Sequence, residues 1–146
     1  MRTRAGVEQV AAIPYRCRGG SVEVLLVTSR TNGRWIVPKG NVEVDVGPRG
    51  TARLEAFEEG GVDGAVAPAP IGRYRHDDEP DAPFVEAYLL RVHTELDEWP
   101  EDGERARRWL PLRVAAERVD VEGLRPLLHR VAAHLEASPG TTSTSP

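Results

Sequence analysis

An α/β fold is what this sequence predicts, on three observations. β-branched and aliphatic runs alternate with turn residues over the first third of the chain, a glycine-bounded helical stretch lies near the middle, and aliphatics recur at helical spacing close to the C-terminus. At 146 residues the chain fits one domain, long enough to bury a working core without disulfides or a structural metal. The expected boundaries are residues 1–137 for that domain and 138–146 for a disordered tail, "SPGTTSTSP", which has no apolar residue.

The elements follow in order. "VEQVAAIPYR" and "VEVLLVTSR" read as strands on either side of "CRGGS", so a hairpin or two adjacent strands is expected. "RWIVP" is a third extended piece, ended by Pro38, and a glycine-punctuated loop runs from Gly40 to Gly50. From about Pro48 to Gly60 the pattern is helical: a proline near the start lacks only a donor the helix would not use, and Gly60-Gly61 is the stop. "APIGRYRH" and "PFVEAYLLRVH" read as strands joined by the polar "DDEPDAP", which suits a mobile surface connection. "RRWLPL" is one more short strand. "RVAAERV" and "EGLRPLLHRVAAHLEA" are helical, with Leu124, Leu127, Leu128, Val131 and Leu135 on one apolar face.

Composition excludes several classes of function. Apolar residues at 40% and charged residues at 29% are globular values, and no apolar run approaches the roughly 20 residues that a membrane-crossing helix needs. A net charge of −4 gives no general attraction to DNA or to anionic membranes, so any polyanion site must be local. Cys17 is alone, and His76, His93, His129 and His134 form no pair at zinc-ligand spacing, which argues against a disulfide framework or a Cys/His metal site. "MRTRAGVEQVAAIPYR" has too short an apolar run for a signal peptide, and the expected location is cytoplasmic. No P-loop or GxGxxG motif is present.

The residues that carry chemistry lie in the middle helix. Glu55, Glu58 and Glu59 stand at i, i+3 and i+4, within an arc of roughly 100°. Neighbouring carboxylates oppose one another's ionisation, and one cation bridging them relieves this. Oxygen-only donors suit hard ions, Mg²⁺ or Mn²⁺. Ala52 and Ala56 on the opposite arc are small enough for the helix to lie close to a sheet. The plain alternative is a solvated acidic face.

Written out, "GNVEVDVGPRGTARLEAFEEGGV" resembles the Nudix box, in which Gly, five residues, Glu, seven residues, Arg-Glu, an aliphatic, any residue, Glu-Glu, any residue, Gly and an aliphatic succeed one another. Gly40, Glu55, Ala56, Glu58, Glu59, Gly61 and Val62 match that pattern over its 23-residue span. The flanking "VLLVTSRTNGRWIVPKG" and "TELDEWPEDGERARRWLPL" look like the diphosphoinositol polyphosphate phosphohydrolase-like branch, and the resemblance runs from about Val7 to Leu135.

The resemblance implies a Nudix-like α/β/α sandwich on a mixed β-sheet and Mg²⁺-assisted hydrolysis of a nucleoside or other organic diphosphate or polyphosphate. It assigns Glu55, Glu58 and Glu59 to the metal and to catalysis, and Gly40 to a backbone position beside the metal. Lys39 is expected to place a point charge on a substrate phosphate. Arg34 is expected to contact substrate, and Arg30, Arg73, Arg75, Arg105, Arg107 and Arg108 are further arginines able to grip polyphosphate. Glu86, Glu95, Glu98 and Glu101 are candidates for an extra general base. Trp35 and Trp109 are expected in the core, while the role of Trp99 stays open.

Two positions depart from the box. Val46 stands where it has its first Glu and Leu54 where it has Arg, and Arg53 points roughly 160° away from Glu55, so adjacency in sequence does not restore the lost cation. The expectation is a cytoplasmic pyrophosphohydrolase with activity impaired by these departures. The alternatives are a catalytically weakened domain that binds a phosphorylated ligand in a regulatory role, and a scaffold whose acidic face serves solubility.

Overall fold

The computed structural model describes residues 7–77 and 81–136. The expected tail, 138–146, lies outside the described residues, as does the middle of the "DDEPDAP" connection, 78–80.

β1 (Val7–Arg18) and β2 (Ser21–Thr28) form the expected antiparallel hairpin about Gly19-Gly20, with Tyr15 opposite Val24 and Arg18 opposite Ser21. β7 (Phe84–Glu95) runs parallel to β1 along the other edge, and every other pairing is antiparallel, so the sheet is mixed. Its central order is β3-β2-β1-β7-β5, where β3 is Trp35–Ile36 and β5 is Val62–Val66. β4 (Lys39–Asn41) pairs with the first part of β1, β6 (Gly72–Arg75) with the first part of β7, and β8 (Arg107–Pro111) with β2.

Two of these strands, β4 and β5, escape the sequence reading for local reasons. β4 is the tripeptide Lys-Gly-Asn, which has no apolar alternation, and it pairs only because the chain after β3 runs back along β1 with Val10 opposite Gly40. β5 contains Asp63 and Gly64, both unusual inside strands, and its register against β7 shifts between them.

Alternation along the strands sorts side chains into two cores. Val10 and Ala12 of β1, Leu25 of β2, and Tyr88 and Leu90 of β7 point to one face, where Ala52 and Ala56 of α1 (Gly47–Gly60) close against them. Ala11, Ile13, Val24, Leu26, Val85, Ala87 and Leu89 point to the other face. There they meet α2 (Leu112–Arg118) and α3 (Leu124–Glu136) through Leu124, Leu127, Leu128, Val131 and Leu135, all buried as their spacing predicts. One helix on one face and two on the other make the α/β/α sandwich. No helix among the described residues is long and apolar enough to cross a membrane.

Candidate active site at the end of the first helix

Fully buried Ala52 and Ala56 let α1 lie close to the sheet, and this fixes what stands on either side of them. At Gly60 a Cβ would come within 2.9 Å of Leu25, so the last turn is pressed against β2. On the flank, Glu55 turns its carboxyl to the backbone of Gly40 in β4 so closely that a Cβ there would collide with it. The glycine that the resemblance sets beside a metal is therefore a glycine because a carboxylate occupies the space of its side chain.

Glu59 is 5% exposed and both its oxygens are held. Oε1 accepts from the backbone N–H of Lys39 at 3.2 Å, and Oε2 lies 3.4 Å from Nη2 of Arg105. Burial pushes its pKa up to about 8, against the opposing pull of Arg105, and a shared hydrogen bond with Glu55 raises it further. Glu55 is also raised, mainly by burial and then by the charges of Glu58, Glu101 and Glu43, with the Glu59 hydrogen bond opposing. Glu58 is raised by burial, Glu101 and Glu43. Three carboxylates that each hold protons too tightly are a donor set suited to a hard divalent ion, and the Gly40 backbone beside Glu55 leaves room for no side chain in the way. Among the described residues no three acidic, imidazole or thiol groups are already gathered at metal-binding distances: Glu55 and Glu59 pair, and Glu58 faces Glu101 and Glu43.

The end of α1 is held by a loop distant in sequence. A helix leaves its last carbonyls without partners of its own. Here the carbonyl of Glu58 accepts from the N–H of Glu101 (3.0 Å), that of Glu59 from the indole N–H of Trp99 (3.1 Å), and that of Gly60 from Arg107 Nη1 (2.9 Å). Gly61 adopts the left-handed conformation at φ 68° and returns its N–H to Phe57, and a Cβ there would strike Arg107 and Trp99. Arg107 also donates to the Leu96 carbonyl at 2.7 Å and stacks 3.9 Å over the Trp99 ring. This gives Trp99 its role, a cap on the helix that carries the glutamates. It also removes Arg105 and Arg107 from the arginines free to grip a phosphate, since both turn inward. Trp35 and Trp109 pack at the margins of the two cores.

Lys39, the chain's single lysine, lies between this cluster and a cleft of about 250 Å³ lined by Glu8, Gln9, Lys39, Asn41, His76, Asp77, Ala82 and Pro83. Its ammonium is 3.5 Å from Gln9 Oε1, and burial lowers its pKa. Arg34 stands beside His76, Nη2 to Nε2 at 3.5 Å, rather than beside the glutamates. Buried Nε of Arg34 and Nδ1 of His76 have no hydrogen-bond partner among the described residues. Burial, with the charge of Lys39 next, brings His76 down to about 4, so it is neutral near pH 7. Nothing in its sequence surroundings singled His76 out.

The four acids proposed for an extra base separate in space. Glu95 is engaged by Arg16, Arg107 and the Trp109 indole, and Glu98 is exposed in the loop. Glu86 is buried at 5% exposure; it shares the α1 side of the sheet with Tyr88 and Leu90 and lies in one row with Val10 and Gly40. Glu101 adjoins the cluster and is bonded to Arg105 Nε at 2.7 Å. Of the two departures, Val46 is 51% exposed at the start of α1, and Leu54 stands one turn before Glu58 on the helix. Arg53 pairs with Asp63 at 2.6 Å, away from the glutamates as its angle on the helix predicts.

With this geometry established, comparisons with known proteins agree on one family. A model of the NUDIX domain matches residues 7–131. Nudix hydrolase 21, chloroplastic, of Arabidopsis thaliana is 32% identical over 120 residues, covering 77% of this chain and 60% of that protein. Diphosphoinositol polyphosphate phosphohydrolase 2 of Rattus norvegicus is 38% identical over 90 residues, 60% of this chain and 49% of that one. The chain thus spans about half to three fifths of the length of the curated relatives it matches. Among solved structures, the C. elegans Ap4A hydrolase superposes with a TM-score of 0.70 at 20% identity, covering 87% of this chain and 96% of that one, a likeness of fold. By the extent of the domain match, this chain belongs to the NUDIX domain family.

Proposed function

We propose that this chain is a divalent-metal-dependent hydrolase that cleaves the diphosphate bond of an organic diphosphate or polyphosphate, with Glu55, Glu58 and Glu59 as the carboxylates that hold Mg²⁺ or Mn²⁺. The observation that carries the reading is the pair formed by buried Glu59 and Glu55 against the Gly40 backbone, both retaining protons more tightly than an ordinary glutamate. A bound divalent ion would neutralise the diphosphate and lower the pKa of attacking water. The chain's own contribution is position. Gly40 lets the Glu55 carboxylate lie against the β4 backbone where a side chain would exclude it, and the Lys39 ammonium offers a point charge beside the carboxylates. Arg34 and His76, side by side at 3.5 Å with His76 in the cleft that Lys39 also lines, are the groups we assign to a phosphate that is not cleaved.

Water adds to one phosphorus, the bridging oxygen departs with the other, and the products are two phosphate-ended fragments. Of the four candidate acids, Glu101 is the one whose charge acts on Glu55 and Glu58, and it is our candidate for an extra base. The names of the similar proteins point to Ap4A and diphosphoinositol polyphosphates as compounds to assay. We place the protein in the cytoplasm, as one domain over residues 1–137.

The test is the appearance of the two cleavage products, separated by chromatography, from a panel of such diphosphates with Mg²⁺ or Mn²⁺, repeated in EDTA. Turnover that survives chelation refutes the metal-dependent reading. Ligand binding without turnover on any member of the panel would favour the regulatory alternative, with Val46 and Leu54 as the cause.

A further inference from the structure

We infer that Arg105 is a positioning residue of this site: reaching in from the loop before β8, its guanidinium holds the Glu59 carboxylate of α1 and the Glu101 carboxylate of its own loop in one fixed arrangement, and so supplies from another element the cation that α1 lacks at Leu54. The inference rests on the reading of Glu55, Glu58 and Glu59 as the metal-binding carboxylates.

The side chain is 9% exposed and its three nitrogens go to three places: Nη2 to Glu59 Oε2 (3.4 Å), Nε to Glu101 Oε1 (2.7 Å) and Nη1 to the Thr28 carbonyl (3.0 Å). Its base is pinned as well. Thr28 donates its N–H to the Ala106 carbonyl at 3.1 Å, and its Oγ1 accepts the Ala106 N–H at 2.9 Å. A guanidinium tied to the end of β2 cannot swing away without stranding buried donors, so the two carboxylates it touches are held at a set separation.

Glu59 is then gripped on both oxygens by different elements, Oε1 by the Lys39 N–H of β4 and Oε2 by Arg105. No nearby cation of α1 takes the Arg105 role, because Arg53 is committed to Asp63 and position 54 is apolar. Neighbouring Arg107 is the natural control. It caps the carbonyls of Gly60, Gly61 and Leu96 and stacks on Trp99, but none of its bonds reaches a glutamate of the helix.

The experiment is calorimetric titration of Mn²⁺ into wild type, Arg105→Gln, Arg105→Lys, Arg107→Gln and Glu59→Gln, each checked for folding by near-ultraviolet circular dichroism. Removing a group that orients a metal ligand weakens metal binding by roughly 10- to 100-fold, and that is the expected loss in Arg105→Gln. Arg105→Lys keeps the charge but not the three-way fork, and recovers only part of it. Arg107→Gln lowers the thermal midpoint and, acting only through the loosened cap, costs less Mn²⁺ affinity than Arg105→Gln; an equal loss in the two overturns the inference.

Mn²⁺ binding that is equal or tighter in folded Arg105→Gln overturns the inference. That result marks a guanidinium acting as charge alone, since its loss relieves repulsion of the incoming ion. If Arg105→Gln does not fold, Arg105→Lys decides, and wild-type affinity there overturns the inference. Should Glu59→Gln or wild type show that Mn²⁺ binding does not involve the helix at all, the reading of the site falls and the role of Arg105 falls with it.

Discussion

At its C-terminal end α1 gives the carbonyls of Glu58, Glu59 and Gly60 to Glu101, Trp99 and Arg107, while at its N-terminal end Val46 offers no side-chain cap and stands 51% exposed. The N-terminal end is tied more simply, through buried Thr51, whose hydroxyl accepts from the N–H of Glu43 and donates to the carbonyl of Gly47. All three glutamates of the proposed site lie in the second half of the helix. The difference teaches where precision is required: the end that bears the carboxylates is fixed by side chains from a distant loop, and the end that lost its box glutamate carries no part of the carboxylate pair.

Substitutions at the two ends sharpen this contrast. The largest effect is expected for Glu59→Gln, which removes a ligand charge without changing shape and lowers turnover by at least about 10²-fold. Because it also removes a carboxylate buried at a cost, its thermal midpoint should equal or exceed that of the metal-free wild type. A folded Glu59→Gln protein with near-normal rates would move the site elsewhere.

Next is Gly61→Ala. It forces an L-residue into a left-handed conformation, at about 1–2 kcal/mol, and drives a Cβ into Arg107 and Trp99. Urea unfolding should show at least that loss, with reduced Mn²⁺ affinity because the cap is displaced. A loss confined to stability would separate the cap from the site.

A third expectation concerns pH. Glu59 binds its proton up to about pH 8 when folded but only to about 4.5 when unfolded, so between those values the folded state carries more protons. Stability of the metal-free protein therefore falls as pH rises through that window, and Mn²⁺ should reverse the fall. Thermal midpoints with and without Mn²⁺ check this, and midpoints that rise with pH in chelator contradict it.

The smallest effect is at the other end. Val46→Ser adds a capping hydroxyl and should stabilise by about 1 kcal/mol in urea unfolding, with Mn²⁺ affinity unchanged. A change in Mn²⁺ affinity there would mean that the two ends are coupled.

What the sequence makes legible is what is local. The i, i+3, i+4 spacing of Glu55, Glu58 and Glu59, the Gly61 stop and the apolar face of α3 are patterns within one element, and each is seen in the structure. The hairpin is visible for the same reason. The cap is not, because Trp99 reaches Glu59 across 40 residues and Arg107 reaches Gly60 across 47, and one chain carries no signal linking such positions. A partial signal lies in "ERARRW": inward Arg105 and Arg107 alternate with outward Ala106 and Arg108, as strand geometry demands, but alternation among arginines resembles an exposed basic edge as much as a buried clamp. Lys39 was legible as a neighbour of Gly40, whereas His76, which follows β6, meets Arg34, which precedes β3, across 42 residues of sequence.

The most direct measurement of the central claim is the number of protons released when Mn²⁺ binds, from calorimetry in buffers of different ionisation enthalpy at pH 7 and above pH 9. If the carboxylate pair is the metal site, binding near pH 7 must displace the proton held on Glu59, so close to one proton leaves per ion, and release disappears above pH 9 and in Glu59→Gln. Mn²⁺ binding with no proton release at pH 7, or with the same release in Glu59→Gln, would contradict the account.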